Sequence, residues 1–219
     1  MNPLKFAART DRAPIILFLG AHCDDIEIGC GGTLLRLRES VPDAEIRWLI
    51  LSSNEMRRRE AMESADRFLG ERTRDSIRIE AFRDGYLPYS GGQVKDVFED
   101  VKREVSPDLI FTHYRHDLHQ DHRLVNELTW NTWRNHMILE YEIPKYDGDL
   151  GQPNAFVAIS PEQVERKIKI VLEVFSTQTS RNWFDADTLS AILRLRGVEF
   201  NSPERYAEAF YAPKVLLEF

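Results

Sequence analysis

Five of the six histidines in this chain fall in two short segments. The first reads Ala21-His22-Cys23-Asp24-Asp25-Ile26-Glu27. The second, about ninety residues later, reads His113-Tyr114-Arg115-His116-Asp117-Leu118-His119-Gln120-Asp121-His122-Arg123. Imidazoles mixed with carboxylates suit zinc, or iron, manganese or cobalt, better than calcium or magnesium, which prefer oxygen alone. A catalytic zinc takes three protein ligands and leaves one position open. His22, one of the paired aspartates and one histidine of the second segment make such a set. The spare carboxylate can then take a proton from water, so these residues point to metal-assisted hydrolysis. A single histidine at a strand end, or an Asp-Asp pair in a loop, is more often a cap than a ligand. Two such segments converging on one crevice are another matter.

Convergence depends on the elements that carry them. Residues 15–19 are a continuous apolar run, as in a strand buried on both faces, and the first segment follows directly. After a polar loop, 31–39 reads as helix, 45–51 as a second strand, and 56–69 as a helix stopped by Gly70. Residues 76–82 make a third strand. Val94, Val97, Phe98, Val101 and Val105 keep a helical period that Pro107 closes. Residues 108–112 form a fourth buried strand, from which the second segment departs, and 121–135 are helical again. This alternation predicts an α/β fold with an open, mostly parallel sheet and helices on both faces. In such sheets ligands bind beyond the carboxyl ends of the strands where strand order reverses. An order of 3-2-1-4 makes strands one and four neighbours and brings both segments to that crevice. Farther on, strands are expected around 139–143, 155–159 and 205–211, with helices marked by Val164, Ile168, Val171, Leu172 and Phe175 and by Leu189, Ile192 and Leu193. Residues 141–154, rich in Pro, Gly and Asp, read as a loop that closes over the substrate.

Composition bounds the remaining possibilities. The chain has 219 residues and no repeat or low-complexity linker, so 1–219 reads as one domain. Asp+Glu 36 against Lys+Arg 29 leaves a net charge of −7, which argues against a broad nucleic-acid or anionic-lipid surface. The longest run free of polar residues, 13–21, is under half of what spans a bilayer, and 1–14 lack the apolar segment of a secretory signal. Two cysteines seven apart imply no disulfide framework. A cytoplasmic protein is expected.

The motifs AHCDDIE (21–27) and HQDH (119–122) resemble those of the LmbE/PIG-L family of metal-dependent N-deacetylases. GCGGTL (29–34), RRREA…FLG (57–70), FRDG (82–85), TH…D…HQDHR (112–123) and YAEAF (206–210) follow in the family's order, so the resemblance covers nearly the whole chain. It implies a Rossmann-like three-layer αβα fold with the metal at the carboxyl ends of strands one and four. It also implies zinc, with Fe2+ or Co2+ able to occupy the same ligands, and an N-acetylated amino sugar or its conjugate as substrate. Carried over by motif, His22, Asp25 and His122 would be the metal ligands and Asp24 the general base. His119, as imidazolium, would steady the oxyanion, with Asp121 orienting it. Arg57 and Asp84 would meet sugar hydroxyls.

The sequence departs from the usual motif at Cys23, where the family commonly has Pro, and at Ile26, which stands between the aspartate pair and Glu27. Cys23 reads as a small core residue rather than a fourth ligand or redox thiol, and Glu27 is kept out of the catalytic set. His113 and His116 lie in a loop where their spacing fixes no geometry. Neither is expected as a ligand; contact of His113 with the site is the less favoured reading, His116 is expected to face solvent, and His136 carries no signal. Of Arg57-Arg58-Arg59 only Arg57 is placed to reach the crevice. The GCGG glycines do not meet a nucleotide-binding spacing. Asp117 is a hydrogen-bond partner for water or substrate, and Trp130 and Trp133 are either core or a stacking surface for a sugar. Two other readings stand beside the deacetylase. One is a metal-dependent phosphoesterase or other hydrolase, the other a non-catalytic sugar- or nucleotide-binding module with a closed metal site that uses Cys23. Subunit number is left open, homo-oligomers included.

Overall fold

The computed structural model describes residues 12–70 and 76–216. The reading of 1–14 as free of a secretory signal falls almost wholly outside them. Seven strands form one sheet: β1 (Ile15–Gly20), β2 (Glu45–Ser52), β3 (Ile77–Phe82), β4 (Leu109–His113), β5 (Met137–Tyr141), β6 (Ala155–Ile159) and β7 (Tyr206–Tyr211). Their order is β3-β2-β1-β4-β5-β7-β6. The first five are parallel, and β7 runs antiparallel to both β5 and β6. The expected 3-2-1-4 arrangement is present, and the reversal falls between β1 and β4.

Alternation along the central strands divides the core. Ile16 and Phe18 of β1, Trp48 of β2 and Phe111 of β4 face one layer; Leu17, Leu19, Leu49 and Ile110 face the other. Helices α1 (Asp25–Ser40), α2 (Glu55–Leu69) and α5 (Pro161–Val174) cover the first face, while α3 (Gly91–Glu104) and α4 (Gln120–Thr132) cover the second. The sixth helix, α6 (Ala186–Glu199), packs on β7 and α5. Phe18 and Phe111, paired across β1 and β4, stack with ring centroids 4.6 Å apart. That stack fixes the two strands whose ends carry the histidine segments.

One boundary differs from the sequence reading in a way that matters. A polar loop was expected before a helix at 31, but α1 begins at Asp25, inside the first motif. Its residues from Asp25 through Leu35 are all buried, so no apolar stripe marks where the helix starts. Acidic residues in the first turn also suit the positive end of the helix dipole. The GCGG stretch lies inside this helix and answers to packing. A Cβ at Gly29 would stand 2.3 Å from the Tyr141 ring, so only glycine lets α1 lie this close to the sheet. One turn on, Gly32 N and Thr33 N donate to Glu208 of β7 at 2.7 and 2.6 Å, and Lys167 Nζ of α5 donates to Ile28 O at 2.6 Å. Ile28 O and Gly32 N are groups that a helix pairs with each other; here a buried Lys167–Glu208 ion pair, 2.7 Å long, engages both. The YAEAF motif thus supplies the carboxylate that seats α1.

Candidate metal centre and cleft

β1 ends at Gly20, and Ala21–Asp24 turn directly into α1, with Asp24 as its N-cap residue. β4 ends on His113, and a loop leads to α4, whose N-cap is His119. Because β1 and β4 are parallel neighbours, both turns open on the same end of the sheet. Three side chains meet there. His122 Nε2 lies 3.2 Å from His22 Nδ1, His22 Nδ1 lies 3.4 Å from Asp25 Oδ2, and His122 Nε2 lies 3.5 Å from Asp25 Oδ1. A tetrahedral ion with bonds of about 2.0–2.1 Å has donor edges of about 3.3–3.4 Å. Each separation is close to such an edge, with the Asp25 carboxylate turning Oδ2 to His22 and Oδ1 to His122, and the nitrogen and oxygen donors suit a first-row divalent metal. Among the described residues three groups that share His22 or His122 could hold a metal ion: His22/His119/His122, Asp25/His113/His122 and His22/Asp84/Asp121, each with ligand atoms within 4.8 Å of one another.

The far nitrogen of each imidazole is held by carboxylates. His122 Nδ1 is 2.9 Å from Asp117 Oδ2; His22 Nε2 is 3.2 Å from Asp121 Oδ2 and 3.1 Å from Asp84 Oδ1. Such partners select the tautomer and aim the other nitrogen at an ion. Asp25 Oδ2 accepts from His22 N at 2.7 Å and lies 3.1 Å from His113 Nε2. His113, fully buried, stacks on the His122 ring at 3.9 Å. His113 touches the site, against the reading that set it aside, whereas His116 is exposed as expected.

The two aspartates diverge sharply. Burial works against the Asp25 carboxylate, but His122, His113 and His22 outweigh it and hold its pKa well below the usual range. At Asp24, burial wins over the opposing Arg57 and raises the pKa. Adjacent carboxylates pushed apart in this way have separate roles open to them, one as ligand and one as proton carrier. Arg57 Nη2 donates to Asp24 Oδ1 at 2.7 Å. The sugar-contacting residue implied by the resemblance is therefore already engaged with the expected base. Arg57 still lines a cleft of about 290 Å³ with His22, Ser52, Asn54, Arg83 and Asp84. Asp84 stands at its rim with a side chain 73% exposed.

Asp121 does not orient His119 through its carboxylate. That group accepts from Gly85 N at 2.8 Å and Leu87 N at 3.1 Å, and its free edge faces His22. Its backbone does the orienting: Asp121 N donates to His119 Nδ1 at 3.2 Å, which leaves Nε2 to carry the proton. Burial and the nearby His22 hold His119 below the ordinary histidine range.

The other candidates lie apart from the triangle. The Cys23 thiol donates to Ser52 O at 3.5 Å and burial pushes its pKa up to about 12, so it is core, not a ligand. Glu27 is fully buried, its carboxyl pushed up to about 8 by burial. Trp133 packs on Phe98, and Trp130 donates to Glu140 at 2.7 Å; neither lines the cleft. Asp117 serves His122 rather than water or substrate. Sequence reasoning missed Tyr141, whose hydroxyl donates to Leu19 O at 2.7 Å and lies 3.2 Å from His113 Nε2. It also missed Lys145 and Asp149, which join Asp117 from the 142–154 segment. The only signal was their charge inside an expected loop.

A profile of the PIG-L family (GlcNAc-PI de-N-acetylase) matches residues 17–133. Among solved structures, N,N'-diacetylchitobiose deacetylase from Pyrococcus horikoshii is 24% identical, with a TM-score of 0.69 over 91% of this chain and 84% of that one. The conserved protein TT1542 from Thermus thermophilus is 21% identical, with a TM-score of 0.70 over 93% and 96%. GalB, the 4-carboxy-2-hydroxymuconate hydratase from Pseudomonas putida KT2440, is 18% identical, with a TM-score of 0.68 over 94% and 99%. These likenesses establish the fold, and the hydratase among them shows that the fold alone does not choose the reaction. Taken with the profile match over more than half its length and the His/Asp centre, the chain belongs to the PIG-L family and is a metal-dependent, amide-hydrolysing deacetylase.

Proposed function

We propose that this chain, acting as one catalytic domain, removes the acetyl group from an N-acetylated amino sugar or its conjugate, with His22, Asp25 and His122 as ligands of a zinc ion. The observation that carries the reading is the donor triangle with a second, differently tuned carboxylate beside it. A divalent metal there supplies Lewis acidity, which makes water a nucleophile near neutral pH and polarises an amide carbonyl. Asp24, buried and outside the triangle, accepts the proton of the attacking water. Arg57 holds its carboxylate in place. His119, with Nδ1 occupied by the Asp121 amide, presents an Nε2–H to the developing oxyanion. Asp24 then returns its proton to the departing amine.

A polar cleft supports the sugar. Ser52, Ser53, Asn54 and Asp84 offer hydroxyl, amide and carboxylate partners to a sugar. The Pyrococcus relative is named for its action on an acetylated sugar, N,N'-diacetylchitobiose. Cys23 faces Ser52, so nothing supports a closed, non-catalytic site built on its thiol. Among the described residues no helix is long and apolar enough to cross a membrane.

Amine release from N-acetylglucosamine, its UDP-linked form and diacetylchitobiose tests the reading, with protein reconstituted in turn with Zn2+, Fe2+ and Co2+ and metal counted per chain. Release by the wild type is expected at one metal per chain, with zinc the most effective. Asp24→Ala should keep the metal and lose about 10²–10⁴-fold in turnover. Full turnover by that variant would overturn the mechanism. A second metal with phosphoester turnover would replace the reaction class.

A further inference from the structure

The 142–154 segment lies outside the residues matched by the family profile, yet it reaches the metal centre through one buried cation. Lys145 Nζ sits 2.9 Å from Asp117 Oδ2 and 2.5 Å from Asp149 Oδ2, with all three side chains less than a tenth exposed. Asp117 is the carboxylate whose same oxygen meets His122 Nδ1 at 2.9 Å, and whose other oxygen accepts from His119 N at 2.8 Å. Asp149 Oδ2 in turn accepts from Leu118 N at 2.7 Å. One ammonium therefore ties the segment to both sides of the turn that delivers His119 and His122. A carboxylate with two donors on one oxygen loses the freedom to swing away from either. The ring it holds is correspondingly fixed.

We propose that Lys145 is a positioning residue for the metal centre: seated between Asp117 and Asp149, it locks the 142–154 segment onto the carboxylate that aims His122 Nε2 at the ion. The inference rests on the reading of His122 as a ligand. It assigns the segment a role that a lid over substrate does not have, because its reach ends on the ligand's partner. A separate anchor clamps the two ends of the same segment together, in which Arg196 Nη2 donates to Gly151 O at 3.2 Å and to Glu142 Oε2 at 2.8 Å. That anchor touches neither Asp117 nor a histidine, so the molecule contains its own control.

The experiment compares the full chain with Lys145→Met, Lys145→Arg, Asp149→Asn and Arg196→Met. Zn2+ and Co2+ affinities are measured by competition with a chromophoric chelator, the Co2+ visible spectrum is recorded, and folding is checked by thermal melting. Lys145→Met should weaken both metals about 10–100-fold and change the Co2+ spectrum. Asp149→Asn should show the same effect in smaller measure, and Lys145→Arg should recover part of the affinity. Arg196→Met should leave affinity and spectrum near wild type, whatever it does to melting. Equal losses in Lys145→Met and Arg196→Met would reduce Lys145 to loop packing and overturn the proposal, as would wild-type affinity in Lys145→Met. If Lys145→Met does not fold, Asp149→Asn and Lys145→Arg decide by the same criteria. Nitrogen-15 spectra of the His122 ring without metal separate this inference from the ligand assignment. Wild type should show the Nδ1–H tautomer, and Lys145→Met a mixture. Should the wild type bind no metal, the ligand reading falls, and an unchanged tautomer in Lys145→Met would then overturn the positioning role too.

Discussion

Among the described residues two lysines are buried against carboxylates, and they do opposite work. Lys167 lies under α1, 1% exposed, and pairs with the single carboxylate of Glu208 while donating to Ile28 O. Lys145 lies between two carboxylates, one of which already serves an imidazole. The first neutralises a charge that the interior cannot hold alone, and its loss strikes the fold. The second has partners with other donors to fall back on, and its loss strikes the geometry of one ring. The same ion-pair chemistry thus becomes structural or functional according to what else its carboxylate is holding.

The largest effect that tests this contrast is expected from Lys167→Met. It strands Glu208 with two main-chain donors and no cation, and removing one partner of a buried pair costs about 3–5 kcal/mol. Chemical denaturation should show that loss, with Lys145→Met destabilised by clearly less. Equal losses would erase the distinction. Gly29→Ala probes the same floor without touching charge. The added methyl meets the Tyr141 ring, and overpacking of this kind costs about 1–3 kcal/mol. Since Tyr141 also contacts His113, metal affinity should fall with stability here, whereas in Lys145→Met it should fall ahead of stability. The smallest effect is a null one. Cys23 and Cys30 are buried, and burial raises both thiols, so neither should react with a thiol reagent before unfolding. Labelling of Cys23 in the native protein would show that the cleft opens down to the floor, and would blur the two regions into one.

Much of this arrangement could be read from residue order. The central strands were legible as apolar stretches at 15–19, 48–51 and 109–111, because strands buried on both faces leave a continuous signature, while their order came from the fold class that the alternation implied. The two histidine segments were legible because each begins where such a run stops. The start of α1 was not, because a helix buried all round has no polar face to give it a period, and its acidic first turn looks like loop. The partners of the motif residues were hidden for another reason. That Asp121 turns to His22 and lends His119 only its amide, or that Arg57 reaches Asp24 before any sugar, depends on side-chain directions that spacing does not encode. Lys145 and Asp149 were hidden deeper still, as charges in a stretch whose composition says only turn.

The separation of His22 and His122 by 100 residues has a consequence for how the enzyme is made. No local segment can assemble the triangle; it exists only once β1 and β4 have paired, with two other strands lying between them in the chain. Closing so long a loop is the slow, entropically costly kind of folding event. A metal ion added to the unfolded chain therefore meets scattered imidazoles, and uptake with native stoichiometry marks the moment the central sheet closes. Refolding followed by metal capture would time that closure, and the ion, binding only what has closed, would hold it shut by mass action.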